Sequence, residues 1–360
     1  MSSLGFARSS ATVQAMSSQP VPFSQWMERA LFDPQRGYYS RRIVGIGRRG
    51  DFSTSASLDA VLGEAVAAWI KEERTRDATV RTVIEVGGGD GSLMSSVLKS
   101  LGWWTRTRTK FCMVERSPVL HEQQQTRLKG RSVRWFDDLG EALRSCDGAA
   151  LIYHNELLDA FPVTLVQWSN EEMTWCEVCV EVAANAVRES LQPLCMAEAD
   201  AAAFSALHQW TEKQPPPHGS QRCELGKASL DWLRSWSPHW KRGAMLTLDY
   251  GDVFPLLYRR KPAGTLRAYL MHQVLTGSDV YQNMGRQDIT ADVNFTDLMN
   301  WGAMLGWENG ALETQREFLQ RHVYGITKRA AASPAIAFLV DRNGAGGAFK
   351  ALVQRPVMRA

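Results

Sequence analysis

The chain has 360 residues, with 41 lysines and arginines against 38 aspartates and glutamates. Nucleic-acid-binding proteins usually carry a strongly basic face, so this near balance of charge argues against that class. Apolar residues make up 44% and charged residues 22%, as in globular proteins that bury a full core. No apolar run reaches the roughly 18 residues of a membrane-spanning helix, so we expect no membrane insertion.

The six cysteines follow neither a disulfide nor a zinc pattern. Cys176 and Cys179 form the one close pair, but their segment alternates like a strand and no second ligand pair follows it. We therefore predict no metal site. Free thiols suit a reducing compartment, and we predict a cytoplasmic protein, with the mitochondrial matrix as the alternative. Residues 1–22 are rich in serine and lack acids, and we interpret them as a disordered tail rather than a targeting segment.

The first elements are predicted to be helices separated by polar turns. A short helix begins at Phe23, where Ser24 could cap it. A turn over 33–39 and a polar loop over 48–55 follow. Apolar residues then recur at three- and four-residue steps over 58–70, which predicts an amphipathic helix.

From about residue 79 the pattern changes to strands that alternate with helices. Strands are predicted over 79–86, 110–115, 132–136, 149–153 and 244–249, and helices over 92–101 and 118–129. This alternation is typical of parallel strands joined by helical crossovers. It predicts an α/β fold with a doubly wound, Rossmann-like sheet.

Between the fourth and fifth strands the chain predicts an insertion. Residues 163–168 and 172–182 have the alternation of a β-hairpin, and helices are predicted over 198–212 and 226–236. The predicted organisation is then a tail, an N-terminal helical lid, a core in two pieces and an inserted substrate region, over residues 1–22, 23–78, 79–162 with 241–360, and 163–240.

The strongest motif is V-I-E-V-G-G-G-D-G-S (83–92), a buried strand that runs through Gly87, Gly89 and Gly91 into a helix. Glycines at a strand end let backbone amides approach a ligand closely, and the following helix N-terminus favours an anionic group. The spacing departs from a dinucleotide fingerprint, because Ser92 stands where the third glycine belongs.

The second strand ends at Glu115, whose carboxylate could accept both hydroxyls of a ribose. Glu115 lies beyond the spacing of about 20 residues typical of NAD sites, which favours S-adenosylmethionine over NAD. A surface position at a strand end is the alternative for Glu115. Asp137 or Asp138 could meet the adenine amino group, and a helix-capping role is the alternative for both.

With these motifs in place, the chain resembles the MidA-like family of S-adenosylmethionine-dependent methyltransferases, which includes a mitochondrial complex I assembly factor that methylates a protein arginine. The resemblance runs in order over residues 23–352. Its segments include F-S-Q-W-M-E-R-A-L-F-D-P-Q-R-G-Y-Y (23–39), G-D-F-S-T-S (50–55), E-V-G-G-G-D-G-S-L (85–93), V-E-R-S-P-V-L (114–120), H-N-E-L-L-D-A-F-P-V (154–163), L-D-Y-G (248–251), G-T-L-R-A-Y (264–269) and D-I-T-A-D-V-N-F (288–295).

The resemblance implies a class I methyltransferase sheet, S-adenosylmethionine as cofactor, and Glu85, Thr54 and Ser55 as further cofactor-binding residues. The chain also departs from the family pattern at several positions, which are Ala56 and Ser57 after the 50–55 loop, Asp90 in the glycine turn, and Asp292 and Asn294 in the 288–295 segment. These changes leave open a different acceptor or an impaired activity.

The candidate catalytic residues follow the fourth and fifth strands. We expect Asn155 to line the methionine end of the cofactor, and Glu156 and Asp159 to bind the acceptor, because carboxylates grip a guanidinium and assist its loss of a proton. The alternatives are that Asp159 caps the following turn and that Asn155 satisfies backbone amides. His272 lies near enough in sequence to join the candidates, although a packed histidine is the commoner case.

The sequence thus predicts a methyltransferase whose most favoured acceptor is a protein arginine. Methylation of a small-molecule oxygen or nitrogen is the alternative within enzymes, and a cofactor-binding assembly factor without catalysis is the alternative outside them. The predicted partner is a protein or small-molecule acceptor, not nucleic acid, and the oligomeric state stays open.

Overall fold

The computed structural model describes residues 19–43, 58–183, 186–271 and 273–357. Within these ranges the chain forms seventeen strands and fifteen α-helices, which are numbered in chain order and given below with their bounds.

The strands of the central sheet form the core of the molecule. They are β2 (Thr82–Val86), β3 (Lys110–Val114), β4 (Val133–Phe136), β5 (Ala150–Asn155), β10 (Met245–Asp252), β14 (Val293–Asn294), β15 (Trp307–Asn309), β16 (Glu313–Thr314) and β17 (Phe349–Pro356). Their order is β15-β17-β10-β5-β2-β3-β4, with β14 beside β10 and β16 beside β17. The five strands from β10 to β4 are parallel, and β17 is antiparallel to its neighbours. This arrangement confirms the predicted doubly wound α/β sheet.

A second, antiparallel sheet consists of four strands from residues 163–240 together with β1 from the N-terminal segment. It contains β1 (Val21–Pro22), β6 (Thr164–Ser169), β7 (Thr174–Ala183), β8 (Ala186–Pro193) and β9 (Arg222–Leu225). The predicted hairpin is confirmed as β6 and β7, which pair antiparallel. A third, three-stranded sheet consists of β11 (Arg267–Leu270), β12 (Gln273–Leu275) and β13 (Asp288–Thr290).

The helices cover the sheets on both faces. They are α1 (Phe23–Phe32), α2 (Val61–Arg76), α3 (Ser92–Ser100), α4 (Trp103–Thr107), α5 (Pro118–Arg127), α6 (Leu139–Arg144), α7 (Glu198–Ala201), α8 (Ser205–Gln209), α9 (Lys227–Trp236), α10 (Leu256–Arg260), α11 (Phe295–Met304), α12 (Gln315–His322), α13 (Ile326–Ala332), α14 (Pro334–Val340) and α15 (Ala345–Ala348). None of the helices in the described ranges has the length and apolar character to cross a membrane.

Burial explains why the core strands form. All five residues of β2 are buried, and β5 and β10 are buried along almost their whole length. Strands covered by helices on both faces read as continuous apolar runs rather than as alternating ones, which is the pattern that the sequence shows there. Tryptophans pack one side of this core, with Trp236 stacked on Trp307 at 5.4 Å between ring centroids.

Several predicted elements differ from the structure in detail. Ser24 does not cap α1, because the helix begins at Phe23 and its flanking residue is Pro22. The helix predicted over 198–212 is two short helices, since the chain turns between Ala201 and Ser205. The sequence did not predict the eight-residue β8 or the four-residue β9, because edge strands of an antiparallel sheet carry a weaker pattern than buried parallel strands. The predicted domain boundaries stay predictions.

The topology brings the strand ends of the central sheet to one edge. The residues that follow β2, β3, β5 and β10 all emerge there, because parallel strands share a direction. In an open α/β sheet, ligands bind in the crevice outside these carboxyl ends. Helix α1 and the third sheet stand over the same edge and share an apolar cluster that includes Trp26, Met27 and Ile289.

Candidate active site

A cavity of about 2410 Å³ opens at the carboxyl ends of the parallel strands. Most of the predicted site residues line it together, namely Glu85, Gly87, Gly89, Glu115, Asp137, Asn155, Glu156 and Asp159. Gly91 lies at the same turn, as the residue before α3. Thr54, Ser55 and His272 lie outside the described residues, as do Ala56 and Ser57.

The glycine turn adopts backbone conformations that favour glycine. Gly87 has a φ of +64° and Gly91 a φ of +81°. A Cβ at Gly87 would stand 2.6 Å from Cδ1 of Leu157, so the turn and the loop after β5 pack too closely for a side chain. Asp90 has a structural role in the turn: its Oδ1 accepts the Ser92 backbone amide at 3.0 Å, and its Oδ2 pairs with Arg127 at 2.5 Å.

Glu85 is the second-last residue of the buried strand β2 and is 2% exposed. Burial raises the pKa of this carboxyl to about 8, and the nearby charges of Asp90 and Glu115 add to the rise. Its Oε2 atom is buried and has no hydrogen-bond partner among the described residues. A buried carboxyl oxygen beside a cavity, with nothing to bond, is suited to receive a donor from a ligand.

Glu115 is fixed at the end of β3 by two donors. Its Oε1 accepts the backbone amide of Ser117 at 2.8 Å, and its Oε2 accepts the side-chain amide of Gln124 at 3.0 Å. Burial raises the pKa of Glu115 to about 7, although these hydrogen bonds act in the opposite direction. The same Gln124 amide donates to the carbonyl of Gly89 at 2.8 Å, so one buried side chain orients both the glycine turn and the carboxylate.

The two aspartates after β4 have different surroundings. Asp138 caps α6, because its Oδ1 accepts the backbone amide of Glu141 at 2.9 Å. Asp137 lies at the cavity wall with an exposed side chain. Both residues line the cavity, and the capping alternative holds for Asp138, whereas the adenine contact of Asp137 stays a prediction.

The loop after β5 carries Asn155 and Glu156, and β10 holds it in place. Oδ2 of buried Asp249 accepts the backbone amides of Leu157 and Leu158 at 3.2 and 3.0 Å. Glu156 has a φ of +53°, a left-handed conformation that is uncommon for a residue with a side chain. The Asn155 amide donates to Oε1 of Glu156 at 3.0 Å, so the two candidate side chains contact each other.

Two buried carboxylates, those of Asp159 and Asp288, also line the cavity, and each accepts a hydrogen bond from a tyrosine hydroxyl. Tyr250 donates to Oδ2 of Asp159. Tyr39 donates to Oδ1 of Asp288 at 2.8 Å. Burial raises the pKa of Asp159 to about 6 and that of Asp288 to about 7. Among the lysines and arginines whose side chains the structure describes, none lies within 4.0 Å of either carboxylate.

Arg267 is the cation nearest to this pair, but it is bound elsewhere. It forms an ion pair with Asp292 at 2.5 Å, and its guanidinium stacks over the Tyr250 ring at 4.4 Å. Lys261 also pairs with Asp292, at 2.5 Å. Asp292, which departs from the family pattern, is thus the counter-ion of both Arg267 and Lys261. Asn294, the other departure in this segment, caps the N-terminus of α11.

Sequence reasoning did not identify Tyr39, Asp288 or Gln124 as site residues. Tyr39 and Asp288 lie in different family-like segments, and only the fold brings them together across 249 positions of sequence. Gln124 lies in a helix whose polar composition indicated exposure, yet it is completely buried. The signal that could have identified Gln124 is its place on the helix that directly follows Glu115.

The crowding at Gly87 gives a testable prediction. Alanine at a left-handed position costs about 1–2 kcal/mol, and at Gly87 it also meets Leu157. We expect Gly87→Ala to lower the free energy of unfolding more than Gly130→Ala, since Gly130 has a φ of +79° but nothing within 4 Å. Chemical denaturation measures both losses. Equal losses, or no recovery when Leu157→Ala is added to Gly87→Ala, would contradict this account.

Comparisons with known proteins agree with this geometry. A family model for S-adenosyl-L-methionine-dependent methyltransferases matches residues 61–310, more than half of the chain. The protein arginine methyltransferase NDUFAF7 homolog of Drosophila melanogaster is 27% identical over 310 residues, which is 78% of this chain and 66% of the relative. NDUFAF7 of Danio rerio is 27% identical over 334 residues, 86% of this chain and 74% of the relative. The chain thus spans about two thirds to three quarters of the length of these relatives.

A solved structure gives the same result for the fold. A methyltransferase-like protein from Burkholderia thailandensis, crystallised with S-adenosyl-homocysteine, superposes with a TM-score of 0.80. It is 26% identical in sequence, and the match covers 95% of this chain and 89% of the other. The match of the family model, supported by this fold and by the glycine turn that ends β2, shows that the chain belongs to the family of S-adenosyl-L-methionine-dependent methyltransferases.

Proposed function

We propose that this methyltransferase acts on the side chain of a protein arginine. Its curated relatives are named as protein arginine methyltransferases. The observation that carries the proposal is the pair of buried carboxylates, Asp159 and Asp288. Tyrosine hydroxyls hold both, and none of the basic side chains that the structure describes forms an ion pair with either. A cavity wall of this kind fits an acceptor that brings its own positive charge.

The cofactor half of the cavity fits S-adenosylmethionine. Gly87 lines the cavity, and a glycine there leaves the backbone open to a ligand without a Cβ in the way. Glu85 and Asn155 each keep a buried oxygen without a partner in the described chain, and both face the cavity. When bound, this cofactor supplies an electrophilic methyl group on a sulfonium.

We assign four side chains to the cofactor. Glu115 accepts hydrogen bonds from the ribose hydroxyls, because it stands at the end of β3 with its carboxylate fixed by Ser117 and Gln124. Asp137 meets the adenine amino group. Glu85 and Asn155 hold the amino-acid end. Thr54 and Ser55 stay predictions from the resemblance.

We assign the acceptor to Glu156, Asp159 and Asp288. A guanidinium presents five donors in a planar fork, so it can be gripped by more than one carboxylate at once. A bound cation lowers the pKa of each carboxyl, which keeps Asp159 and Asp288 ionised at neutral pH in spite of burial. Glu156 lies beside Asn155, at the junction of the two halves, and is placed to take the proton that a methylated nitrogen must lose.

Three of the cations that line the cavity are paired with other aspartates. Asp292 holds Arg267 and Lys261, and Asp252 holds Arg260 at 3.2 Å. The charge of Arg267 still lowers the pKa of Asp159 and Asp288, but burial raises both pKa values by more.

The acceptor is tested by its product. The protein is incubated with labelled S-adenosylmethionine and lysate, and the label is followed into protein and low-mass fractions. We expect the label in protein, and methylarginine after acid hydrolysis. Label only in the low-mass fraction would favour the small-molecule alternative, and cofactor binding without any product would favour an assembly factor that does not catalyse.

Glu156→Gln separates chemistry from binding. The amide keeps the size of the side chain but cannot take a proton, so we expect methyl transfer to fall by about 100-fold or more. Calorimetry should show nearly unchanged affinity for S-adenosyl-homocysteine. Glu308→Gln, at an exposed position of β15, is the matched control and should keep full turnover. Full turnover of Glu156→Gln would overturn the assignment.

The raised pKa of Glu115 predicts a pH dependence for cofactor binding. Ribose hydroxyls bond best to the ionised carboxylate, and in the free protein this group is protonated below about pH 7. Affinity for S-adenosyl-homocysteine should therefore fall as the pH drops through about 7, by at most about tenfold per pH unit. Glu115→Gln should bind more weakly at high pH and should lose this part of the slope. Parallel pH profiles for the two proteins would contradict the assignment.

The cellular location rests on the relatives alone. Those reported above are named as mitochondrial, which favours the mitochondrial matrix over the predicted cytoplasm. Imaging of the full chain with a C-terminal fluorescent tag tests this, and a diffuse cytosolic signal would speak for the cytoplasm.

A further inference from the structure

The short helix α4 displays two neighbouring tryptophans to solvent. Trp103 is 60% exposed and Trp104 is 66% exposed, and their rings meet edge to face at 4.8 Å between centroids. Every other tryptophan among the described residues is buried or partly buried. Two large exposed indoles side by side form an apolar surface that usually marks an interaction site.

Cations surround this pair. Residues 91–114 contain Lys99, Arg106, Arg108 and Lys110 and no acidic residue. The Arg108 guanidinium lies over the Trp104 ring at 5.2 Å from its centroid.

Helix α2 adds two further cations to the same surface. Lys71 donates to the carbonyl of Ser100 at 3.2 Å, and Arg74 donates to the carbonyl of Arg108 at 3.3 Å. Burial lowers the pKa of Arg74, and the charges of Arg81 and Arg108 lower it further, which shows that like charges are close together here.

The nearest acids of α2 are already paired. Glu72 bonds Arg76 at 2.9 Å, and buried Glu73 bonds Arg355. The surface around the tryptophans therefore keeps a positive charge, although the whole chain has a formal net charge of only +3.

The patch lies at the sheet edge opposite the cavity. Lys110 begins β3 beside Thr82, which begins β2, whereas Gly87 and Glu115 follow the other ends of these two strands. A partner bound at the tryptophans would leave the cavity open.

We propose that Trp103 and Trp104, with the cations around them, dock the protein on the surface of an anionic phospholipid bilayer. Indole rings are enriched at membrane interfaces, because they combine an apolar body with one polar N–H group. Lysines and arginines around them are attracted to anionic headgroups, and each contributes to adsorption without any spanning helix. Charge complementarity selects an anionic surface over a zwitterionic one. The cavity then faces the aqueous phase.

Vesicle sedimentation tests the proposal with the full chain. We expect binding to vesicles that contain phosphatidylglycerol, weak or no binding to phosphatidylcholine alone, and release as ionic strength rises. The variants Trp103→Ala/Trp104→Ala and Arg108→Gln/Lys110→Gln should each lower partition to anionic vesicles by about tenfold or more. Both should bind S-adenosyl-homocysteine like the unchanged protein, which shows that they are folded.

The control variant changes a different surface of the protein. Tyr324 is 98% exposed and Lys328 is exposed four residues later, so Tyr324→Ala/Lys328→Gln removes one exposed aromatic ring and one exposed cation there. It should not change vesicle binding. No binding of the unchanged protein to anionic vesicles would overturn the proposal. The proposal would also be overturned if the protein did not bind vesicles but did associate with itself or with an acidic protein, and if Trp103→Ala/Trp104→Ala abolished that association.

Discussion

The candidate active site depends on one buried carboxylate. Asp249, at 0% exposure near the end of β10, accepts the backbone amides of Leu157 and Leu158 and so attaches the loop after β5 to the neighbouring strand. Burial raises its pKa well above the usual range, and the charges of Asp159 and Glu156 act in the same direction. Together with the bond from the Glu156 backbone amide to the carbonyl of Leu248 at 2.9 Å, these hydrogen bonds hold the left-handed turn that carries the catalytic candidates.

Electrostatics then divides the cavity into two halves. Glu85 and Glu115 stand at the ends of β2 and β3, where Ser117 and Gln124 hold the Glu115 carboxylate and Glu85 keeps a buried oxygen without a partner among the described residues. Asp159 follows β5, Asp288 begins β13 of the third sheet, and each accepts a tyrosine hydroxyl. Buried carboxyls normally cost free energy unless a partner compensates for the loss of solvent. Hydroxyl groups compensate only in part, which is why burial raises the pKa values of both aspartates and why a cationic acceptor would stabilise the site.

Much of the fold could be predicted from local pattern. The buried strands β2, β3, β5 and β10 appear as apolar runs, because helices cover both faces of the sheet, and the three glycines mark the turn between β2 and α3. The roles of Glu115 and Asp137 in cofactor binding stay predictions from their places at strand ends. Strand β9 and the broken helix over 198–212 could not be predicted, because their form depends on packing partners that are remote in the chain. Strand β8 pairs with its chain neighbour β7, but its own sequence lacks a clear alternation of apolar and polar residues.

The sequence by itself therefore determined the α/β class, the glycine turn and the order of the candidate residues along the chain, since these depend on periodicity and on backbone sterics. Only the tertiary structure decided which side chains meet. Tyr39 reaches Asp288, and Tyr250 reaches Asp159, across separations of 249 and 91 residues. Hydrogen bonds between side chains so far apart have no local signature, because their geometry is set by how the three sheets and α1 pack together.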